Sequence, residues 1–214
     1  MQEDKVITKS ETGLGKVLYS VLTNGTYGPV RLLGHLIEMN IGHNGNPLTG
    51  YAGNRQIFDS EGYSDATVTF SVYSIPDYAK VDILGYVRAT EETGGGLFRP
   101  NNPKRPYIAL MIEQTGIDEN ENEFTDYITL FKGKLGIPER KGKTKENSTP
   151  ELQTKSLTGT FICPENMGDY KYVVSSDQEN FDATEWSKKW GTTVVIPEEL
   201  ITSQVTTNTA KETE

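Results

Sequence analysis

Apolar and polar positions alternate with period two over short stretches, and these stretches are bounded by Gly, Pro, Asn and Asp. That is the pattern of half-buried β-strands. It is clearest over residues 66–73, where Val68, Phe70 and Val72 point one way and Thr67, Thr69 and Ser71 the other. Further strands are expected at 16–22, 31–41, 55–58, 107–114, 126–132, 153–162, 170–175 and 192–196. Asn24-Gly25 and Asn44-Gly45 supply residues that tolerate positive φ at turns.

Helical signals are confined to two segments. In SIPDYAKVDILGY, Ser74 is placed to cap with Asp77 three residues on, Ile75, Ala79 and Ile83 share a face, and Gly85 suits the stop. In NFDATEWSKKWG, Asp182 is placed to cap with Glu185, Phe181 to staple onto Trp186, and Gly191 to end the helix. Loops with little core are expected at 42–53, 90–106 and 133–150. The result is a mainly β chain, an antiparallel sandwich or barrel with one or two short helices and long loop or hairpin extensions.

Length adds that 214 residues suit one all-β domain. The expected organisation is an N-terminal arm over 1–15, the β domain over 16–202 and a polar, disordered tail over 203–214. Within the β domain, 133–150 reads as a mobile basic arm and 163–202 as a peripheral extension carrying the second helix. The net charge of −9 argues against a protein that grips nucleic acid electrostatically. The start, MQEDKVITKSETG, has no basic-then-apolar signal, and no stretch has the roughly 20 apolar residues of a membrane span. A soluble chain made in a reducing cytoplasm is therefore expected, and its single cysteine offers no disulfide.

Candidate chemistry is sparse. Asp118, Asn120 and Asn122 have the alternate spacing that opens a calcium loop, but Glu123 stands where glycine is needed and Thr129 where the bidentate Glu belongs. An acidic hairpin turn fits better. His35 and His43 have no companion ligands for zinc, and Cys163 has no base beside it in sequence. Gly94-Gly95-Gly96 and Gly13-Leu14-Gly15-Lys16 lack phosphate-loop spacing, and the sequons at Asn24 and Asn147 lack a secretory signal. No catalytic residue, cofactor or metal is expected, and no enzymatic role.

Two segments taken in order, GYSDATVTFSVYSIPDYAKVDILGY at 62–86 and KTKENSTPELQTKSLTGTF at 143–161, resemble the major tail tube proteins of long, flexible-tailed phages of Gram-positive bacteria. In that family a Gly-Tyr-led strand runs into an Ile-Pro-Asp turn and an Asp-Ile-Leu-Gly helix end. Later, a Lys/Glu-rich loop leads through Pro and Gln-Thr into a Thr-rich strand. LYSVLTNGTYGPV, YAGNRQIF and PYIALMIEQ follow the family's order, and the likeness runs from Val17 to Ile162. The insertion at 91–104 and everything after Cys163 have no counterpart in it.

The resemblance implies a virion protein of the tail, made in the host bacterial cytoplasm, that forms homohexameric rings stacked into a hollow tube. Its implied partners are copies of itself, a tape-measure protein, the tail tip or initiator complex, the tail terminator, and phage DNA in transit without tight binding. No membrane is involved. On that picture strands 34–41 and 66–73 line the bore, with Glu38, Asn40, Thr67, Thr69 and Ser71 facing it and Ile37, Met39, Ile41, Val68, Phe70 and Val72 facing the core.

Contacts between subunits or rings are expected from Asn44, Asn46 and Tyr51, and from Lys134, Arg140, Lys141, Lys143 and Lys145 of the basic arm. Six copies at −9 carry about −54 per ring, enough to repel phosphate if Glu38, Asp59, Glu61 and Asp65 face inward. The rival readings are a carbohydrate-binding sandwich, with Trp186 and Trp190 stacking on sugar, and the tube of a contractile injection machine.

Overall fold

A computed structural model of the chain describes residues 8–52, 55–139 and 152–201, with 46–52 and 55–64 described by backbone alone. Its elements are β1 (Lys9–Thr23), β2 (Thr26–Tyr27), β3 (Arg31–Ala52), β4 (Arg55–Val72), α1 (Asp77–Leu84), β5 (Val87–Arg88), β6 (Leu97–Phe98), β7 (Tyr107–Asp118), β8 (Glu123–Leu135), β9 (Lys155–Ile162), β10 (Lys171–Ser175) and α2 (Ala183–Lys189). The expected basic-arm residues Arg140, Lys141, Lys143 and Lys145, and the tail at 203–214, lie outside the described residues.

The strands form an antiparallel sheet in the order β10-β8-β7-β1-β3-β4-β9, which closes on itself through β8 and β9. Closure rests on four residue pairs, Lys132↔Ile162 to Leu135↔Gly159. The same edge of β8 is shared, because its earlier half, Asp126 to Leu130, pairs with β10. Glycine makes the closure tight. A Cβ on Gly133 would stand 2.3 Å from the buried Phe161 ring.

Inside the barrel, Val17, Tyr19, Leu33, Leu36, Val68, Phe70, Ile108, Leu110, Ile128, Leu157 and Phe161 are buried together. α1 closes one side by burying Ile75, Ala79 and Ile83, the face the sequence spacing indicates. Its stop is Gly85 in the left-handed region, φ 74°. Its start differs from expectation: Pro76 occupies the N-cap with no side-chain cap, so Ser74 does not cap the helix. Proline's fixed φ pre-organises the entry there. Tyr19 donates to Asp82 at 2.7 Å and Arg31 pairs with the same carboxylate at 2.6 Å, tying β1, β3 and α1 together.

β1, β7 and β8 are buried on both faces. Opposite the barrel core, Leu18, Ala109, Met111, Thr129 and Phe131 are also buried, so these strands read as unbroken apolar runs. The covering layer is the C-terminal segment. Phe181, Trp186 and Trp190 pack on Tyr127, with ring centroids 4.9 to 6.1 Å away. Trp190 Nε1 donates to Glu113 at 2.8 Å. Asp182 caps α2 as expected, accepting from the backbone of Thr184 and Glu185. Residues 192–196, expected as a strand, run without regular structure instead.

Two further expectations change. Of the segment 42–53 expected as loop, 42–52 is strand: β3 and β4 continue as one hairpin as far as Ala52↔Arg55, and residue 53 lies outside the described residues. Lys134 belongs to β8 and not to a mobile arm, since it pairs with Thr160.

Candidate functional site

The surface of β3, β4 and β9 that faces away from the core is polar over Glu38 to Gly42, Thr67 to Ser71 and Ser156 to Thr160. Cross-strand register aligns Glu38, Ser71 and Ser156 in one row, Asn40, Thr69 and Thr158 in the next, and Gly42, Thr67 and Thr160 in a third. Neighbours across strands lie about 4.8 Å apart and rows about 6.7 Å apart, so the hydroxyls make a regular two-column array. Thr69 and Thr158 hydroxyls are 3.0 Å apart, and Asn44 Nδ2 donates to Thr67 Oγ1 at 3.0 Å and Asp65 at 3.3 Å.

All five residues singled out from sequence, Glu38, Asn40, Thr67, Thr69 and Ser71, therefore share one face. Ser156, Thr158 and Thr160 were missed, although SLTGT carries the same alternation that picked out TVTFS. One core assignment is corrected. A bulge between Leu36 and Glu38 turns Ile37 outward, 39% exposed, and Leu36 takes the inward place. Met39 and Ile41 pack against the core as expected.

The face is mainly hydroxyl and amide in character. Of the expected acids, Glu38 and Asp65 lie on it, whereas Asp59 and Glu61 fall in the stretch described by backbone alone. Lys134 adjoins it beside Thr160.

The second feature is a set of strand edges. β1 pairs with β3 only over Arg31 to His35, and β9 pairs with β4 only over Asp65 to Val72. Beyond those points the β3–β4 ribbon has no strand on either edge among the described residues. Asn46 and Tyr51 sit in that ribbon, opposite Gly62 and Gln56. β1 over 9–15 is likewise held by β7 on one edge alone. Exposed edges of this length invite pairing with another chain.

Other candidates have local roles. Asp118 Oδ1 accepts from the backbone of Asn120 and Asn122, and its Oδ2 from Asn122 Nδ2, forming the hairpin turn between β7 and β8. Asn122's donors hold the Asp118 carboxyl below its usual range. His43 Nδ1 lies 2.5 Å from the Tyr170 hydroxyl. The Cys163 thiol, half-buried, points to the Met167 carbonyl at 3.0 Å, and burial first, then Asp169, pushes its pKa up. Trp186 and Trp190, both half-buried, stack on each other at 5.7 Å and pack on Tyr127. Among the described residues, no helix is long and apolar enough to cross a membrane.

No family model matches the chain, and no curated protein matches it. Among solved structures, the cryo-EM structure of the tube-terminating cap of an anti-feeding prophage aligns with 81% of this chain and 97% of its own, at 10% identity and a TM-score of 0.40. A superposition that loose leaves function to be argued from the chain itself.

Proposed function

We propose that this chain is a structural subunit of a phage-type tail, not an enzyme, and that copies assemble into closed rings which stack as a hollow tube. The observation that carries the reading is the β3–β4 ribbon. The barrel closes within one chain, yet two long strands continue past it with neither edge paired to another strand among the described residues. A solitary protein gains nothing from such an element and risks aggregation. In a ring, the ribbon of each copy pairs with its neighbours, a head-to-tail contact that closes by rotation. The order of the signature segments at 62–86 and 143–161 supports the same class.

On this reading the hydroxyl face of β3, β4 and β9 lines the bore, and the C-terminal layer, on the opposite half of the barrel, forms the outer wall. Neutral hydroxyls wet a passing polyanion without releasing counterions, so DNA crosses with little affinity. Six copies are the expected ring, with a tape-measure protein, tail tip and terminator as partners during assembly. The test is negative-stain microscopy of the concentrated purified chain, alone and seeded on tail tips. Hollow tubes of uniform width are the expected result. A monodisperse single-chain particle under both conditions would overturn it.

A further inference from the structure

Charge is segregated along the β7–β8 hairpin. At its turn stand Asp118, Glu119, Glu121 and Glu123, and nearby Asp177 is already matched to Lys9 at 2.5 Å. At the other end, Lys132 and Lys134 stand over Tyr107, and the Arg105 guanidinium donates to the Leu135 carbonyl at 3.2 Å. The Lys132 and Lys134 ammonium groups stand 5.3 and 4.2 Å from the Tyr107 ring centre. Two cations held over one ring repel each other, and no carboxylate among the described residues bridges them. Beside them a cavity of about 540 Å³ is lined by Tyr27, Tyr107, Lys132 and Asn166, with Glu165 as its only acid among the described residues. Eleven residue steps separate Glu123 from Lys134, about 36 Å of strand at roughly 3.3 Å per residue.

From this polarity we infer that the Lys132/Lys134/Tyr107 end is a docking site for the acidic β7–β8 turn of a second copy, stacked head to tail along the hairpin direction. Charge complementarity selects the occupant. One molecule carries both halves of the match at opposite ends, so neither half can satisfy the other within a single chain. A contact between unlike patches repeats indefinitely and does not close in pairs, which is the symmetry that axial stacking needs. The proposal rests on the self-assembly reading and supplies its contact between rings. It also makes stacking polar, with every copy pointing the same way, and sensitive to salt.

Zero-length carbodiimide coupling followed by mass spectrometry tests it on the full chain. The expected products join Lys132 or Lys134 to Glu121 or Glu123, linkages that the strand length forbids within one copy. Their yield should fall about tenfold when salt rises from roughly 0.05 M to 0.5 M. Lys132→Glu/Lys134→Glu copies, folded by circular dichroism, should lose them. An equimolar mixture with Glu121→Lys/Glu123→Lys copies should restore stacking. Wild-type assemblies without these linkages, or stacking that survives the charge reversal, would overturn the docking site. Microscopy separates the parent reading: linkages without rings sink the ring and keep the docking contact, and rings without linkages do the reverse.

Discussion

At the level of single residues, the barrel depends most on the place where β8 meets β9. Gly133 is there because the Phe161 ring occupies the volume a side chain would need. Gly133→Ala should cost about 1–3 kcal/mol by overpacking, read as a lower urea midpoint with an unchanged slope. Tyr27 makes a separate prediction. Burial pushes its phenol up to about 12, and its hydroxyl donates to the Phe131 carbonyl at 2.6 Å. The fold thus favours the neutral phenol against an unfolded value of about 10. That contribution is complete below pH 10 and is lost as pH rises through about 12. Tyr27→Phe should flatten the loss of stability between these limits while costing about 1 kcal/mol near neutrality. The acid side has the opposite sign. Lys80 lowers the Asp77 carboxyl, Asn122 lowers Asp118 and Lys9 lowers Asp177. Their contribution is present above the usual carboxylate range and fades as pH falls below it.

Among the elements, strict alternation and unbroken apolar runs turn out to mean different things. ATVTFSV and SLTGTF alternate because only one side of β4 and β9 meets the core. KVLYSV, YIALMI and YITLF do not alternate because the C-terminal layer covers their second side. That difference was legible in sequence, and the register puts the five polar candidates on the side away from the core. What was not legible depends on longer-range facts. The stretch 46–52 has Gly, Pro and Asn spacing that reads as loop, and beyond it only 55–58 reads as strand; pairing between the two strands makes the whole ribbon β. The bulge at Ile37 follows from the register against β4, which no local pattern encodes. α2 was legible because its cap, staple and stop are all local. Asp182 accepts two backbone amides there, so Asp182→Ala should cost about 1 kcal/mol. The tryptophans of the layer should report it as a red-shifted, more quenchable fluorescence.

For the whole molecule, the decisive question is whether the ribbon serves the fold or the assembly. Asn46 and Gly62 face each other across the hairpin, so an Asn-Gly turn can replace 47–61 with the two-residue geometry that suits twisted strands. The core side chains described on these strands lie at 33–41 and 66–72, all retained. The shortened chain should keep its barrel, with an unfolding free energy within about 1 kcal/mol of the original, because the core burial described for these strands is all kept. It should also stay a single copy by analytical ultracentrifugation at concentrations where the full chain associates. If the shortened chain unfolds, the ribbon belongs to the fold. If it assembles as before, the neighbours meet elsewhere. Loss of assembly with the barrel intact is the outcome that separates an element built for one chain from one built for many.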